Sequence, residues 1–254
     1  MREETFSIPL GDGKNLYGRI NYGDDYERYD RAVIFCHGLS GHMYEHLYMT
    51  ARVFFPAQGF DTIRFNFYSE EQDARRITEC NVALHAEDLK KVLAYFAERY
   101  HDLFVVGHSY GGLAIVMANA PEVVAASLWD GTFIPFAEHE GFSASWFFNK
   151  ELSEHIVSWQ PTMRVVGSKF YEESRTFTCE RMTALAQQFT KPVQVLAAGA
   201  FLENVPYQEK LFEKLAAEDK EYVVIDGASH GFNEGDAVFE LLENTLNWFE
   251  RFDA

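Results

Sequence analysis

The stretch Val105-Val106-Gly107-His108-Ser109-Tyr110-Gly111-Gly112-Leu113 decides the fold. It opens inside the apolar run Leu103-Phe104-Val105-Val106, which reads as a buried strand. It leads into Leu113-Ala114-Ile115-Val116-Met117-Ala118, small and apolar residues compatible with a helix. Gly-x-Ser-x-Gly alone arises by chance in roughly one chain in ten of this length. The strand before it and the helix after it make it specific. A serine on so short a turn sits at strained backbone angles, with its hydroxyl presented at the carboxyl end of the strand. Gly107 and Gly111 leave room where a Cβ would collide with the neighbouring strand and helix. The helix starting behind the serine turns its free N–H groups and dipole toward any oxyanion formed there.

The same alternation extends outward. Ala32–Cys36 is a continuous apolar run, as expected of a strand covered on both faces. Further strands are expected at 61–67, 123–129, 193–197 and 222–225, and the turn Gly11-Asp12-Gly13-Lys14 joins 5–10 to 15–22 as a hairpin. Leu89, Val92, Leu93, Phe96, Ala97 and Tyr100 repeat at helical spacing, as do Val238, Leu241, Leu242, Thr245, Phe249 and Phe252. Strands alternating with helices imply right-handed βαβ units and a mostly parallel sheet with helices on both faces, an α/β fold. Residues 132–190 separate two strands by more than one crossover helix needs. They are expected to form an inserted cap or lid, with 1–131 and 191–254 as the core; a helical excursion with its own small core is the alternative.

Composition narrows the function. The chain has 254 residues, enough to bury a core without metal or disulfide support. Lys plus Arg number 22 against 39 for Asp plus Glu, a net charge of −17. Without a basic cluster to neutralise phosphates, nucleic acid is not an expected partner, and neither is an anionic membrane surface. Three cysteines (Cys36, Cys80, Cys179) make no disulfide framework. Met1–Phe6 carries acid where a signal peptide has a basic end, and no apolar run reaches membrane-spanning length, so a cytoplasmic protein is expected. No Gly-x-Gly-x-x-Gly loop and no P-loop occur, and no cofactor is expected.

Through the Ser109 turn and the order of its elements, the chain resembles the α/β-hydrolase superfamily over nearly its whole length, with the cap as the variable part. Further residues match. Phe35-Cys36-His37-Gly38-Leu39-Ser40-Gly41 looks like the superfamily's His-Gly loop, which implies oxyanion donors at the backbone N–H groups of Leu39 and Tyr110. His37 is expected to fix that loop and His108 to point away from the hydroxyl. Of the nine histidines, His230 lies after the last strand and before the last helix, where the superfamily carries its base.

The chain departs from the pattern at the acid. Most relatives place an Asp after the strand at 193–197, typically four residues before the proline of a Val-Pro pair. That position holds Leu202, in Ala198-Gly199-Ala200-Phe201-Leu202-Glu203-Asn204-Val205-Pro206. Two substitutes remain open: Asp130, directly after the strand at 123–129 as in certain haloalkane dehalogenases and lipases, and Glu203, one residue along. Asp130 is preferred.

The resemblance and the serine together imply acyl transfer through an acyl-serine, with a small-molecule ester as substrate and a carboxylesterase-like activity. A thioesterase on the same triad is an alternative, as is a ligand-binding protein on a hydrolase scaffold. Phe133 and Trp146 are candidates for contact with an apolar substrate group, although cap core is the better reading of both. His42-Met43-Tyr44-Glu45-His46 matches a zinc-peptidase pattern, with two histidines four apart as on one helix face; no third ligand is apparent, and a polar face near the site mouth is preferred.

Overall fold

The computed structural model describes residues 2–23, 29–137, 145–159, 162–202 and 204–252. An eight-stranded sheet forms the frame, in the order β1-β2-β4-β3-β5-β6-β10-β11. Its strands are β1 (Arg2–Pro9), β2 (Asn15–Tyr22), β3 (Arg31–Cys36), β4 (Asp61–Asn66), β5 (Asp102–His108), β6 (Val123–Trp129), β10 (Val193–Ala198) and β11 (Lys220–Ile225). The β1–β2 hairpin and the β2–β4 pairing are antiparallel. From β4 to β11 every pairing is parallel.

Residues on the central strands are buried nearly without exception, which accounts for the apolar runs of β3 and β5, although β4 and β10 also bury Arg64 and Gln194. Alternate side chains feed two cores. Ile34, Val105, Ala126 and Val195 join helices α2 (Val82–Ala97) and α3 (Tyr110–Ala118) on one face. Val33, Phe104, Val106 and Leu196 join α1 (His46–Phe54) and α7 (Ala237–Phe249) on the other. All three cysteines are free. Among the described residues no helix is long and apolar enough to cross a membrane.

The excursion between β6 and β10 differs from a purely helical one. It holds a three-stranded antiparallel sheet, β7 (Ser145–Asn149), β8 (Glu154–Trp159) and β9 (Thr162–Val165), before α4 (Ser168–Ser174) and α5 (Cys179–Gln188). Nor does it keep its own core. Phe133, Val157, Val166, Phe170, Phe177 and Phe189 belong to the same buried cluster as Tyr110 and Leu113 of α3. Glu173 of α4 docks the excursion by accepting the Val82 and Ala83 N–H groups at the start of α2. Burial pushes its carboxyl up, and those two hydrogen bonds at a helix N-terminus offset part of the cost.

The strand order positions the site. From β3 the chain moves outward to β4, then crosses back to place β5 on the other side of β3. Loops leaving the carboxyl ends of β3 and β5 therefore diverge and open a crevice, the usual place for a ligand on such a sheet. Register aligns the strand ends: Cys36 pairs with Gly107, His108 with Trp129, Leu196 with Trp129, and Ala198 with Ile225. Residues just beyond them share one edge.

Candidate active site

Ser109 sits between β5 and α3 at φ 57° and ψ −122°, a conformation that costs a non-glycine residue ~1–3 kcal/mol. The surrounding contacts hold it there. Ser109 N–H donates to Trp129 O at 3.0 Å, and its carbonyl accepts from Gly112 and Thr132 at 3.1 and 3.0 Å. Both glycines are required by close approach. A Cβ on Gly107 would come within 2.6 Å of the Gly111 backbone, and one on Gly111 within 2.1 Å of the Cys36 carbonyl oxygen.

The His37-Gly38 loop lies directly against the serine, since a Cβ on Gly38 would be 2.9 Å from Ser109 Cβ. His37 holds the loop in place. Its Nε2 accepts the Phe67 N–H at 3.0 Å, so the proton is on Nδ1, which donates to Gly38 O at 2.9 Å. Burial drives His37 down to about 4 and keeps it neutral, as a bridge of one donor and one acceptor requires. Neither the Leu39 nor the Tyr110 N–H donates to another described residue. Leu39 follows the glycine that lies on the serine, and Tyr110 follows the serine itself. Tyr110 is covered by Phe136, stacked at 6.1 Å, and by Phe170, edge-on at 5.9 Å.

On the other side of the serine, the structure brings His230 and Asp130 together. His230 Nδ1 donates to Asp130 Oδ2. The Asp130 side chain is sealed at 0% exposure, whereas that of His230 is 38% exposed. Asp130 leaves β6 at φ 41°, and its N–H is tied to Leu196 O at 2.7 Å. Oδ1 accepts from the Ala198 N–H at 3.2 Å and from the side-chain amides of Asn204 and Gln208. The His230 backbone is held by His108, whose Nε2 donates to His230 O at 2.7 Å. His108 is thus structural, as its position beside Ser109 suggests, and burial first, then neighbouring His230, drives it down to about 3.

Ser109 Oγ hydrogen bonds to Thr132 Oγ1 at 3.1 Å, and among the described residues no hydrogen bond joins it to His230. Thr132, Asn204 and Gln208 carry no motif, and sequence reasoning missed them. The one available signal was that Asn204 and Gln208 stand four apart at the start of a helix, on one face.

The other expected residues lie as follows. Leu202 is 75% exposed. Glu203, the alternative acid, lies outside the described residues. Phe133 is buried, packs over Gly131 and lines a small cleft with Cys179 and Met182 of α5 and Tyr207, Lys210 and Leu211 beyond Asn204. Trp146 is half-buried, 5.6 Å from the Tyr171 ring. The zinc pattern loses its geometric basis, because α1 begins only at His46 and His42 is in the turn before it. Among the described residues no three His, Cys, Asp or Glu side chains group to hold a metal ion.

Comparison with known proteins decides the family. The model of the alpha/beta hydrolase family matches residues 33–241. The chain belongs to this family. Solved structures share the fold over the whole length. Est1E from Butyrivibrio proteoclasticus, with ferulic acid bound, superposes with a TM-score of 0.78 at 17% identity, covering 97% of this chain and 98% of that one. The esterase domain of a Rhodothermus marinus protein gives 0.73 at 19%, covering 99% of each. Dienelactone hydrolase from Anabaena variabilis gives 0.71 at 17%, covering 100% and 99%. No curated protein matches the sequence. The chain is an α/β hydrolase, with a helix-flanked, mostly parallel sheet.

Proposed function

We propose that the protein is a serine hydrolase that cleaves carboxylic esters of small to medium, apolar substrates. The reading rests above all on one observation: a partly exposed histidine, oriented through Nδ1 by a sealed carboxylate, shares a sheet edge with a strained serine. Solved relatives named as an esterase domain and as holding ferulic acid support an ester in preference to a thioester.

In this mechanism Ser109 Oγ exchanges its Thr132 partner for His230 Nε2 when substrate enters. His230 takes the hydroxyl proton as Oγ attacks the ester carbonyl, and Asp130 stabilises the imidazolium without being protonated itself. The oxyanion is held by the Leu39 and Tyr110 N–H groups, which need no reorganisation. Collapse of the tetrahedral adduct breaks the bond to the alcohol oxygen, which leaves with the proton from His230. Water then attacks the acyl-serine through the same base and releases the acid. The 132–190 excursion acts as the cap, with Phe136 and Phe170 packed on Tyr110.

The test is hydrolysis of p-nitrophenyl acetate, butyrate and octanoate by wild type and Ser109→Ala side by side. Turnover by wild type and its loss in a folded Ser109→Ala variant are expected. Turnover surviving in the variant would remove Ser109 from the mechanism. A folded wild type inactive on all three esters would point to ligand binding without hydrolysis of such esters.

A further inference from the structure

The helix α6 (Val205–Lys214) begins oddly. Asn204 is its N-cap residue, a position where asparagine usually accepts a helix N–H. Here its side chain makes no capping bond. Instead Nδ2 donates to Asp130 Oδ1 at 3.3 Å and to Gly131 O at 3.1 Å. One turn on, Gln208 Nε2 donates to the same Oδ1. Both side chains are fully buried, and among the described residues Asn204 Oδ1 and Gln208 Oε1 have no partner. A buried carbonyl oxygen without a donor is unfavourable. Turning either amide over would instead place that oxygen against the carboxylate, so Asp130 sets the orientation of both.

The consequence for Asp130 is asymmetric. Oδ1 accepts three donors, from Ala198, Asn204 and Gln208, whereas Oδ2 faces His230. The carboxylate cannot rotate without breaking that set. The segment after β10, where the superfamily resemblance places the acid itself, here contributes the amides of Asn204 and, from α6, Gln208 to an acid that follows β6.

We propose that Asn204 and Gln208 are positioning residues for the reaction: they lock the Asp130 carboxylate so that Oδ2 stays on His230 Nδ1 and Nε2 is directed to Ser109. This rests on the serine-hydrolase reading above. Among the described residues, ionisable groups that feel the Asp130 charge are His108 of β5, driven to about 3 by burial and then His230, and Tyr222 of β11, pushed up to about 12 by burial, then by Glu209 and Asp130. His46 is felt at His108. His108 and Tyr222 therefore stay uncharged through the working range.

The experiment uses Gln208→Met, nearly isosteric and without the donor. On p-nitrophenyl butyrate kcat is expected to fall about tenfold with KM within about twofold, as for a group acting through the acid. With one donor fewer the pair holds its proton more tightly, so the acid limb of the kcat/KM profile moves up by roughly one pH unit. In an Asp130→Asn background the same substitution is expected to add nothing. Proton NMR supplies a readout that needs no substrate: a strongly downfield His230 Nδ1–H signal in wild type, displaced in Gln208→Met. A lowered melting temperature with unchanged pH profile and unchanged signal would overturn the proposal, as would effects that multiply in the double variant or no downfield signal in wild type. If Gln208→Met does not fold, Gln208→Asn, which draws the amide back by one carbon, takes its place with the same outcomes. A wild type inactive on esters that still shows the signal, displaced in the variant, would overturn the ester reading and leave the positioning role standing.

Discussion

The two sides of the site are built in different ways. The Ser109 side, at the ends of β3 and β5, is made of backbone. Gly107 and Gly111 admit close approach, Gly38 lies on the serine, and the proposed oxyanion donors are main-chain N–H groups. The His230 side, at the ends of β6, β10 and β11, is made of side chains reaching across the chain. Asp130 meets His230, Asn204 and Gln208, and His108 meets the His230 carbonyl. The first side therefore tolerates little change in backbone shape, whereas the second depends on side-chain contacts made between distant segments.

The largest structural effect is expected at Gly111. Gly111→Val places a branched side chain where even a Cβ would lie 2.1 Å from Cys36 O. Since main chain cannot yield as a flexible side chain does, a loss of at least ~4 kcal/mol is predicted, read as insoluble protein or collapse of the urea midpoint. A stable, active variant would break the comparison at once.

Next in size is acid sensitivity. His37 and His108 sit at about 4 and 3 against an ordinary value near 6.5, in both cases chiefly through burial. Between those values the unfolded chain binds protons that the native one does not, so their contribution is complete above 6.5 and is lost as pH falls through the window. Urea denaturation is expected to show on the order of 2 kcal/mol lost per histidine between pH 7.5 and 5.0. His37→Gln is expected to flatten that dependence; an unchanged slope would mean that His37 is not held neutral.

Thr132→Val removes the resting partner of Ser109, bonded at 3.1 Å. The hydroxyl then turns to His230 without first leaving another partner. Because one neutral hydrogen bond is worth ~1 kcal/mol, kcat is predicted to change by less than tenfold and KM hardly at all. A hundredfold loss would give Thr132 a direct part in the chemistry.

The same contrast explains what could be read from sequence. Gly107, Ser109 and Gly111 are contiguous, and their effects on the backbone are local, so the elbow and its strand and helix were legible in order and nearly in extent. His230 was singled out through the superfamily resemblance, by its place after the last strand, and the structure brings it to Asp130. Asp130 remained one of two candidates, because the contact that distinguishes it spans one hundred residues and depends on β6 lying beside β10. Asn204 and Gln208 bear no charge and fit no motif, and only their convergence on Oδ1 reveals them. The strands β7, β8 and β9 escaped because their residues did not alternate cleanly. Phe147, Phe148 and Met163 are exposed, whereas Val157 is fully buried.

The central claim is that β6 supplies the acid. The direct test is kcat for Asp130→Asn and Glu203→Gln on one p-nitrophenyl ester, with folding checked by circular dichroism. Loss of a triad acid is worth on the order of 10⁴ in kcat. The predicted result is a fall of about that size for Asp130→Asn and a change of less than about threefold for Glu203→Gln. The reverse ranking would move the acid to the loop after β10 and contradict the account.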